Sequence, residues 1–439
     1  MLPLPLTNHN GPPTRRRNRT TASLARRSRF SVGAAIIALG AWLSSAAANA
    51  EVVSDWNLIA QQVIAATPGS AGNVDPTYMH VAIYDAVNAI DGRYPTFAVR
   101  PTSDPRGASK QAAAAAAAYR TLLNYFPTQS ATLQAAYDAS LAAVADGPAK
   151  AKGIAIGEEV AAAWTALRQG DGRQAPVPYV FQPAAPGVYQ RTSPGTAPPV
   201  SPWLAVMRPF VLTSPAQFRA YGPPDVTSLR FAQDFELTKA LGSATSTERS
   251  AEETETARFH TEAPVAFWNH NFRDLAAAKG LGTTDSARFF AALSVANSDA
   301  VIACWDSKYY YNFWRPITAI TTTLDDGNAG TETDPSWLPL ATTPGHPEYP
   351  AAHGCVAGAT AEVLSRFFGT RKVDMTFTSA IAGTVPHFYR TTDDLVEEIK
   401  WARVFGGMHY LTSTEHGADL GRRVGRYVMR EKFQPLHHR

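Results

Sequence analysis

The stretch TDSARFFAALSVANSDAVIACWDSKYYYNFW, Thr284 to Trp314, carries the helical signal that decides the fold. Small and apolar residues run through it at helical spacing, without the strict alternation of a half-buried strand. The same reading holds upstream: DWNLIAQQVIAA from Asp55 and PTYMHVAIYDAVNAI from Pro76 space their apolar residues at three and four. SKQAAAAAAAYRTLLNYF, SATLQAAYDASLAAVA and AKGIAIGEEVAAAWTALRQGDG add alanine-rich segments of high helix propensity with a glycine stop. The expected fold class is all-α, a helical bundle. One stretch departs from it. APVPYVFQPAAPGVYQRTSPGTAPPVSPW is too dense in proline for helix or central strand. Residues 174–226 are therefore expected as a long extended connection, packed down by Tyr179, Phe181, Tyr189, Trp203 and Phe210.

The N-terminus has to be set aside before charge is read. RRRNRTTASLARRSRF holds seven arginines and no acid ahead of the apolar run SVGAAIIALGAWLSSAAANA. That is the pattern of an export signal, of the general secretory or the twin-arginine kind, with Ala48-Asn49-Ala50 fitting small-x-small cleavage. Residues 1–50 are expected to be removed, placing the mature chain outside the cytoplasm without a membrane span; an uncleaved anchor is the alternative. Removing seven of the 40 lysines and arginines leaves 33 against 37 acidic residues, a net charge of about −4. A net acidic chain without a basic run lacks the footprint of a nucleic-acid binder. Two cysteines, Cys304 and Cys355, are too few for a disulfide framework. No glycine-rich phosphate loop of the Rossmann or Walker kind is present.

Three separated stretches carry chemistry. In CWDSKYYYNFWRP, Trp305, Lys308, Asn312 and Arg315 fall on one helical stripe, and Pro316 is expected to end the helix at Arg315. Two cations on a helix usually form a solvated edge, but the flanking aromatics argue against that here. In PGHPEYPAAHGC, Pro350 precedes a run of small helical residues and marks a helix start. Ala351, Ala352 and His353 then occupy a first turn whose unpaired N–H groups make a ready anion site. Glu348 is assigned to the turn's own hydrogen bonding. In ARVFGGMHYLTSTEHG, Arg403 closes a helix that Gly406-Gly407 interrupts, and His409 follows the break. Two histidines, two arginines and a lysine beside an amide-lined helix start suit a tetrahedral oxyanion. The cations neutralise its oxygens, one histidine is apical ligand or nucleophile, and the other moves protons.

These residues resemble the vanadium-dependent haloperoxidase family and, more broadly, the type 2 phosphatidic acid phosphatase and bacterial acid phosphatase superfamily. The family's lysine-to-arginine-proline element looks like Lys308 through Arg315-Pro316, its proline-serine-glycine-histidine element like Pro350 through His353, and its arginine-to-histidine element like Arg403 through His409. The resemblance extends over DWN, YDAVNAI, the proline-rich crossing and RFHTEAPVAFWN. It implies that residues 51–439 form a single haloperoxidase-like helical domain binding vanadate. His409 would be the metal ligand, and Lys308, Arg315, Arg403 and the Ala352 amide would balance the oxyanion charge. His353 would be the acid–base group, with Trp305 and His346 on the halide side of the pocket. The implied partners are hydrogen peroxide and a halide or small organic substrate, bromide or iodide ahead of chloride. The oligomeric state stays open, a homodimer among the options.

The chain also departs from the family pattern. Ala351 stands where serine is usual, removing a hydroxyl worth about 1.5–3 kcal/mol to a charged group, and Ala352 stands where glycine is usual. Four residues past His409, Ser413 replaces an aspartate, and Glu415 is out of register. Two other readings therefore stand beside the haloperoxidase: an acid phosphatase with phosphate in the same site, His409 attacking phosphorus and His353 protonating the leaving group, and a catalytically impaired oxyanion-binding homologue.

Overall fold

The computed structural model describes residues 51–192 and 199–435; the export-signal reading of residues 1–50 lies outside the described residues. Among the described residues thirteen α-helices follow in order: α1 (Val52–Ala65), α2 (Asp75–Asp91), α3 (Lys110–Tyr125), α4 (Ser130–Ala142), α5 (Pro148–Leu167), α6 (Leu229–Gly242), α7 (Ala251–Phe259), α8 (Pro264–Ala278), α9 (Thr283–Tyr311), α10 (Pro316–Thr321), α11 (Ala352–Phe368), α12 (Thr392–Phe405) and α13 (Leu411–Lys432). The expected all-α class holds, with one addition. An antiparallel hairpin, β1 (Lys372–Phe377) and β2 (His387–Thr391), joins α11 to α12. In β1 the side chains of Val373, Met375 and Phe377 alternate inward, a period-two signal short enough to be lost among helices.

Helix α9 packs against α2, α11 and α13. It is long and apolar enough to cross a membrane, but 89% of that apolar window is buried inside the protein, which makes it a core helix. Small residues set how closely its neighbours approach. Ala112 to Ala118 of α3 are all fully buried, and a methyl group at Gly157 of α5 would meet the Ala113 carbonyl at 2.4 Å. The same device joins α11 to α13, where a methyl group at Gly421 would meet the Cys355 carbonyl at 2.0 Å. Backbone-to-backbone contact of this kind leaves no tolerance for a side chain. It also brings the start of α11, with His353, to the start of α13, which follows His409.

Helix α9 ends earlier than the proline suggested. Its last residue is Tyr311, and Asn312 takes the left-handed conformation (φ 51°, ψ 43°), donating its N–H to the Lys308 carbonyl at 2.9 Å. Asparagine is one of the few residues that tolerates this cap without being glycine. The four-residue stripe is therefore corrected: Asn312 turns away to accept from the Tyr179 hydroxyl at 2.6 Å. Arg315 sits in extended backbone just before α10 rather than on α9.

Between α5 and α6 the described residues hold only two short 3-10 turns, Pro202–Ala205 and Pro215–Phe218. The segment is laced to the core through backbone groups. Tyr189 N–H donates to the Asn312 carbonyl at 2.8 Å and Trp314 N–H to the Gly187 carbonyl at 3.1 Å. The buried Asp299 carboxylate of α9 accepts the N–H groups of Phe210, Val211 and Leu212 at 2.7, 2.7 and 3.0 Å. Burial raises the Asp299 carboxyl to about 6, and the three amides oppose that shift.

Candidate oxyanion site

The loop between α10 and α11 carries Gly345 to Pro350 across the end of α9. Its backbone is tied there at several points: Glu348 N–H donates to the Phe313 carbonyl at 2.9 Å, and the Lys308 ammonium donates to the carbonyls of Pro347 (2.9 Å) and Glu348 (2.8 Å). The Arg315 guanidinium donates through Nε to the His346 carbonyl at 2.9 Å and through one terminal nitrogen to the Met408 carbonyl at 2.8 Å. Arg315 thus clasps the loop before α11 and the glycine break before α13 at once. That clasp sets the His346 and His409 rings on either side of the same guanidinium, each 3.0 Å from it.

Guanidinium nitrogens only donate, so His409 Nε2 is the acceptor and Nδ1 carries the proton. Nδ1–H donates to Glu348 Oε1 at 2.8 Å. Here the sequence reading is corrected. Glu348 does not serve only its own turn; it is the carboxylate that orients His409. The residues considered for that role lie elsewhere. Glu415 pairs with Arg230 at 2.8 Å, and Ser413 Oγ lies beside the Glu348 carboxylate without reaching hydrogen-bond geometry with Oε2. Sixty-one positions separate Glu348 from His409, so no local motif could reveal the pair.

Helix α11 starts at Ala352, one residue later than expected, with Ala351 as an N-cap that offers no side-chain acceptor. The first-turn amides of α11 therefore lack the cap that a serine would have given. Arg403 reaches in from the last turn of α12, held by the His260 carbonyl at 2.9 Å and by Met408 Sδ at 3.0 Å. Its Nε is sealed from solvent with no hydrogen-bond partner. A cavity of about 680 Å³ brings His346, Ala352, His353, Arg403, His409 and Trp305 to one wall system, with His260, Trp268 and Val301 also lining it. Lys308 and Arg315 stand fully buried behind this wall. His353 makes no hydrogen bond to another described residue, and its ring lines the cavity. Trp305 packs on His346 with ring centroids 5.0 Å apart and hangs its indole N–H on the Val200 carbonyl at 3.2 Å.

Electrostatically, the buried cations Lys308 and Arg315 act on the Glu348 carboxylate and the buried Arg403 acts on His353 and His409, while Glu262, a second buried acid lining the cavity, lies 3.4 Å from His270. Burial lowers the three cations to about 8, about 10 and about 9 respectively, and raises Glu348 to about 7 against the pull of Arg315 and Lys308. Burial and then the neighbouring cations hold His346, His353 and His409 well below the usual histidine range, so all three are neutral. Such a set needs a negative charge to complete it. The uncapped first turn of α11 and the unpartnered Arg403 Nε are donors, and His409 Nε2, whose lone pair now accepts from Arg315, is a ligand atom, for a tetrahedral oxyanion such as vanadate or phosphate.

The fold is a helical bundle of the vanadium haloperoxidase type. Residues 288–437, about a third of the chain, match the family described as the VCPO second helical-bundle domain. The vanadium chloroperoxidase of Curvularia inaequalis is 31% identical over 127 residues, covering 25% of this chain and a fifth (20%) of that protein's length. Among solved structures, the first bacterial vanadium-dependent iodoperoxidase superposes with a TM-score of 0.73 at 24% identity, covering 88% of this chain and 96% of the other. A holo-type bacterial vanadium-dependent chloroperoxidase superposes at 0.64 and 18% identity, covering 85% and 95%.

Proposed function

We propose that this chain is a vanadium-dependent haloperoxidase-like enzyme that oxidises bromide or iodide with hydrogen peroxide, exported from the cytoplasm. The observation that carries the reading is the set of three buried cations, Lys308, Arg315 and Arg403, behind and beside a cavity lined by His409, His353 and Arg403. His409 Nε2 would ligate vanadate, with Lys308, Arg315, Arg403 and the Ala352 amide holding its oxygens. Bound there, vanadate supplies Lewis acidity that polarises peroxide toward attack by halide. Glu348 keeps the proton of His409 on Nδ1, which leaves the Nε2 lone pair, now accepting from Arg315, to pass to vanadate. His353, neutral and free of hydrogen bonds on the cavity wall, takes a proton from incoming peroxide and returns it to the departing oxygen. Trp305 and His346 exclude water on the side where a halide would approach.

Bromide and iodide are favoured for a chemical reason. Ala351 brings no hydroxyl to the oxyanion, so polarisation of peroxide is weaker and only the more easily oxidised halides respond. The likeness in fold to a bacterial vanadium-dependent iodoperoxidase agrees with this. The test loads purified protein with orthovanadate and follows bromination of monochlorodimedone and formation of triiodide. Well-folded, vanadate-loaded protein that is inert with both halides would overturn the reading; turnover of p-nitrophenyl phosphate without vanadate, lost in His409→Ala, would replace it with a phosphatase.

A further inference from the structure

We propose that His260, His387 and Glu398 form a binding site for a zinc-type divalent cation beside the oxyanion cavity. The three residues come from different elements: His260 caps the C-terminus of α7, His387 lies on β2 and Glu398 on α12. His260 Nε2 and His387 Nδ1 both face Glu398 Oε1, at 2.8 and 2.7 Å, and the three atoms lie within 4.8 Å of one another. Two imidazoles and a carboxylate with an open position are a zinc ligand set. Ligand atoms of a tetrahedral zinc site stand about 3.3 Å apart, so each histidine–glutamate contact would open by roughly half an ångström.

The surroundings match what a metal-bound histidine requires. The other nitrogen of His387, Nε2, faces Glu255 Oε2 at 2.9 Å, the outer carboxylate that fixes tautomer and ring orientation. Phe259 stacks on the same ring at a centroid distance of 3.9 Å, and the Tyr389 hydroxyl donates to Glu398 Oε1 at 2.6 Å. The side chains of Glu398 and Glu255 are 26% and 22% exposed, which gives an ion a path in. An ion here displaces the His387 Nδ1 proton, which leaves to solvent while Nε2–H stays on Glu255, and the single proton of the neutral His260 moves from Nε2 to Nδ1 so that Nε2 can bind the ion. It would staple α7, the hairpin and α12 together. Because the His260 carbonyl holds Arg403, it would also steady one cation of the oxyanion site. The site stands on its own geometry and does not depend on the haloperoxidase reading.

The test is zinc titration of the chelator-treated full chain by calorimetry, with thermal unfolding alongside. Histidines 437 and 438 offer further nitrogen atoms, so the readout is the equivalent lost on substitution, not the total. One equivalent with a dissociation constant near or below ~1 µM is expected, raising Tm by roughly 3–6 °C at a hundredfold excess. It should be lost in the H387A/E398Q double variant and retained in H409A. X-ray absorption of the zinc-loaded wild type should show two imidazoles, a readout that holds even where the double variant fails to fold. No binding to wild type at 1 mM zinc (about a thousandfold above the expected constant), an equivalent that survives the double substitution, or a zinc shell without imidazole overturns the proposal.

Discussion

Glu348 and His409, 2.8 Å apart and both sealed from solvent, form a carboxylate–histidine pair on which the buried cations Lys308 and Arg315 both act. The carboxylate has two opposing effects. It raises the basicity of His409, and it repels any anion entering the site. Glu348→Gln keeps the shape and removes the charge, so the effects separate by ligand. Phosphate, attracted by charge, should bind unchanged or tighter. Vanadate, which needs the histidine lone pair, should bind about 10–100-fold weaker. Competition calorimetry with both anions checks this, and equal losses for the two would refute it.

The same residue sets a pH dependence. Burial raises the Glu348 carboxyl from the usual 4.5 to about 7. A raised carboxyl means that the folded state keeps a proton the unfolded state has released. Its contribution to stability is therefore full below pH 4.5 and is lost as pH rises toward 7. Urea unfolding of the anion-free protein should show stability declining across that window, and Glu348→Gln should flatten the decline.

Ala351 is the N-cap of α11 without a side-chain acceptor. Ala351→Ser should gain about 0.5–2 kcal/mol of stability from capping and about ten- to hundredfold in vanadate affinity from the added hydroxyl donor. Thermal unfolding and calorimetry report the two gains independently. A serine variant that binds vanadate no better than the natural chain would show that the missing hydroxyl is immaterial.

His353 and His409 occupy one cavity with different duties. His409→Ala should abolish vanadate binding by ultraviolet difference titration. His353→Ala should retain affinity within about threefold and lose halide oxidation by about 10²–10⁴-fold, the span of a general acid–base group. Loss of binding in both variants would collapse the distinction.

Gly421→Ala places a methyl group 2.0 Å from the Cys355 carbonyl. The two helices must separate, at a cost of about 1–3 kcal/mol or more. Differential scanning calorimetry should show a lower Tm, and vanadate affinity should fall with it, because the contact carries the first turn of α11.

The helices and six charged or histidine positions of the site were legible in the sequence, because each lies in a local pattern that periodicity, a proline or a paired glycine marks. Glu348 was not, since its role exists only once the loop before α11 crosses the end of α9 and meets a histidine from another part of the chain. The αL cap at Asn312 was missed because Pro316, the stronger local signal, stood nearby. The hairpin was missed because KVDMTF is six residues of alternation within a helical chain. The carbonyl of His260, which holds Arg403, is a backbone group and carries no residue signature.

The glycine seam between α11 and α13 also bears on how the pocket can be altered. One wall is the start of α11, whose backbone is pressed against that of α13, so natural variation or engineering cannot widen the cavity from that side. Room for a larger substrate has to come from Trp268, Val301 or Trp305, side chains on α8 and α9 that line the cavity without holding the oxyanion. Drift in substrate range among relatives of this chain should be written in those positions.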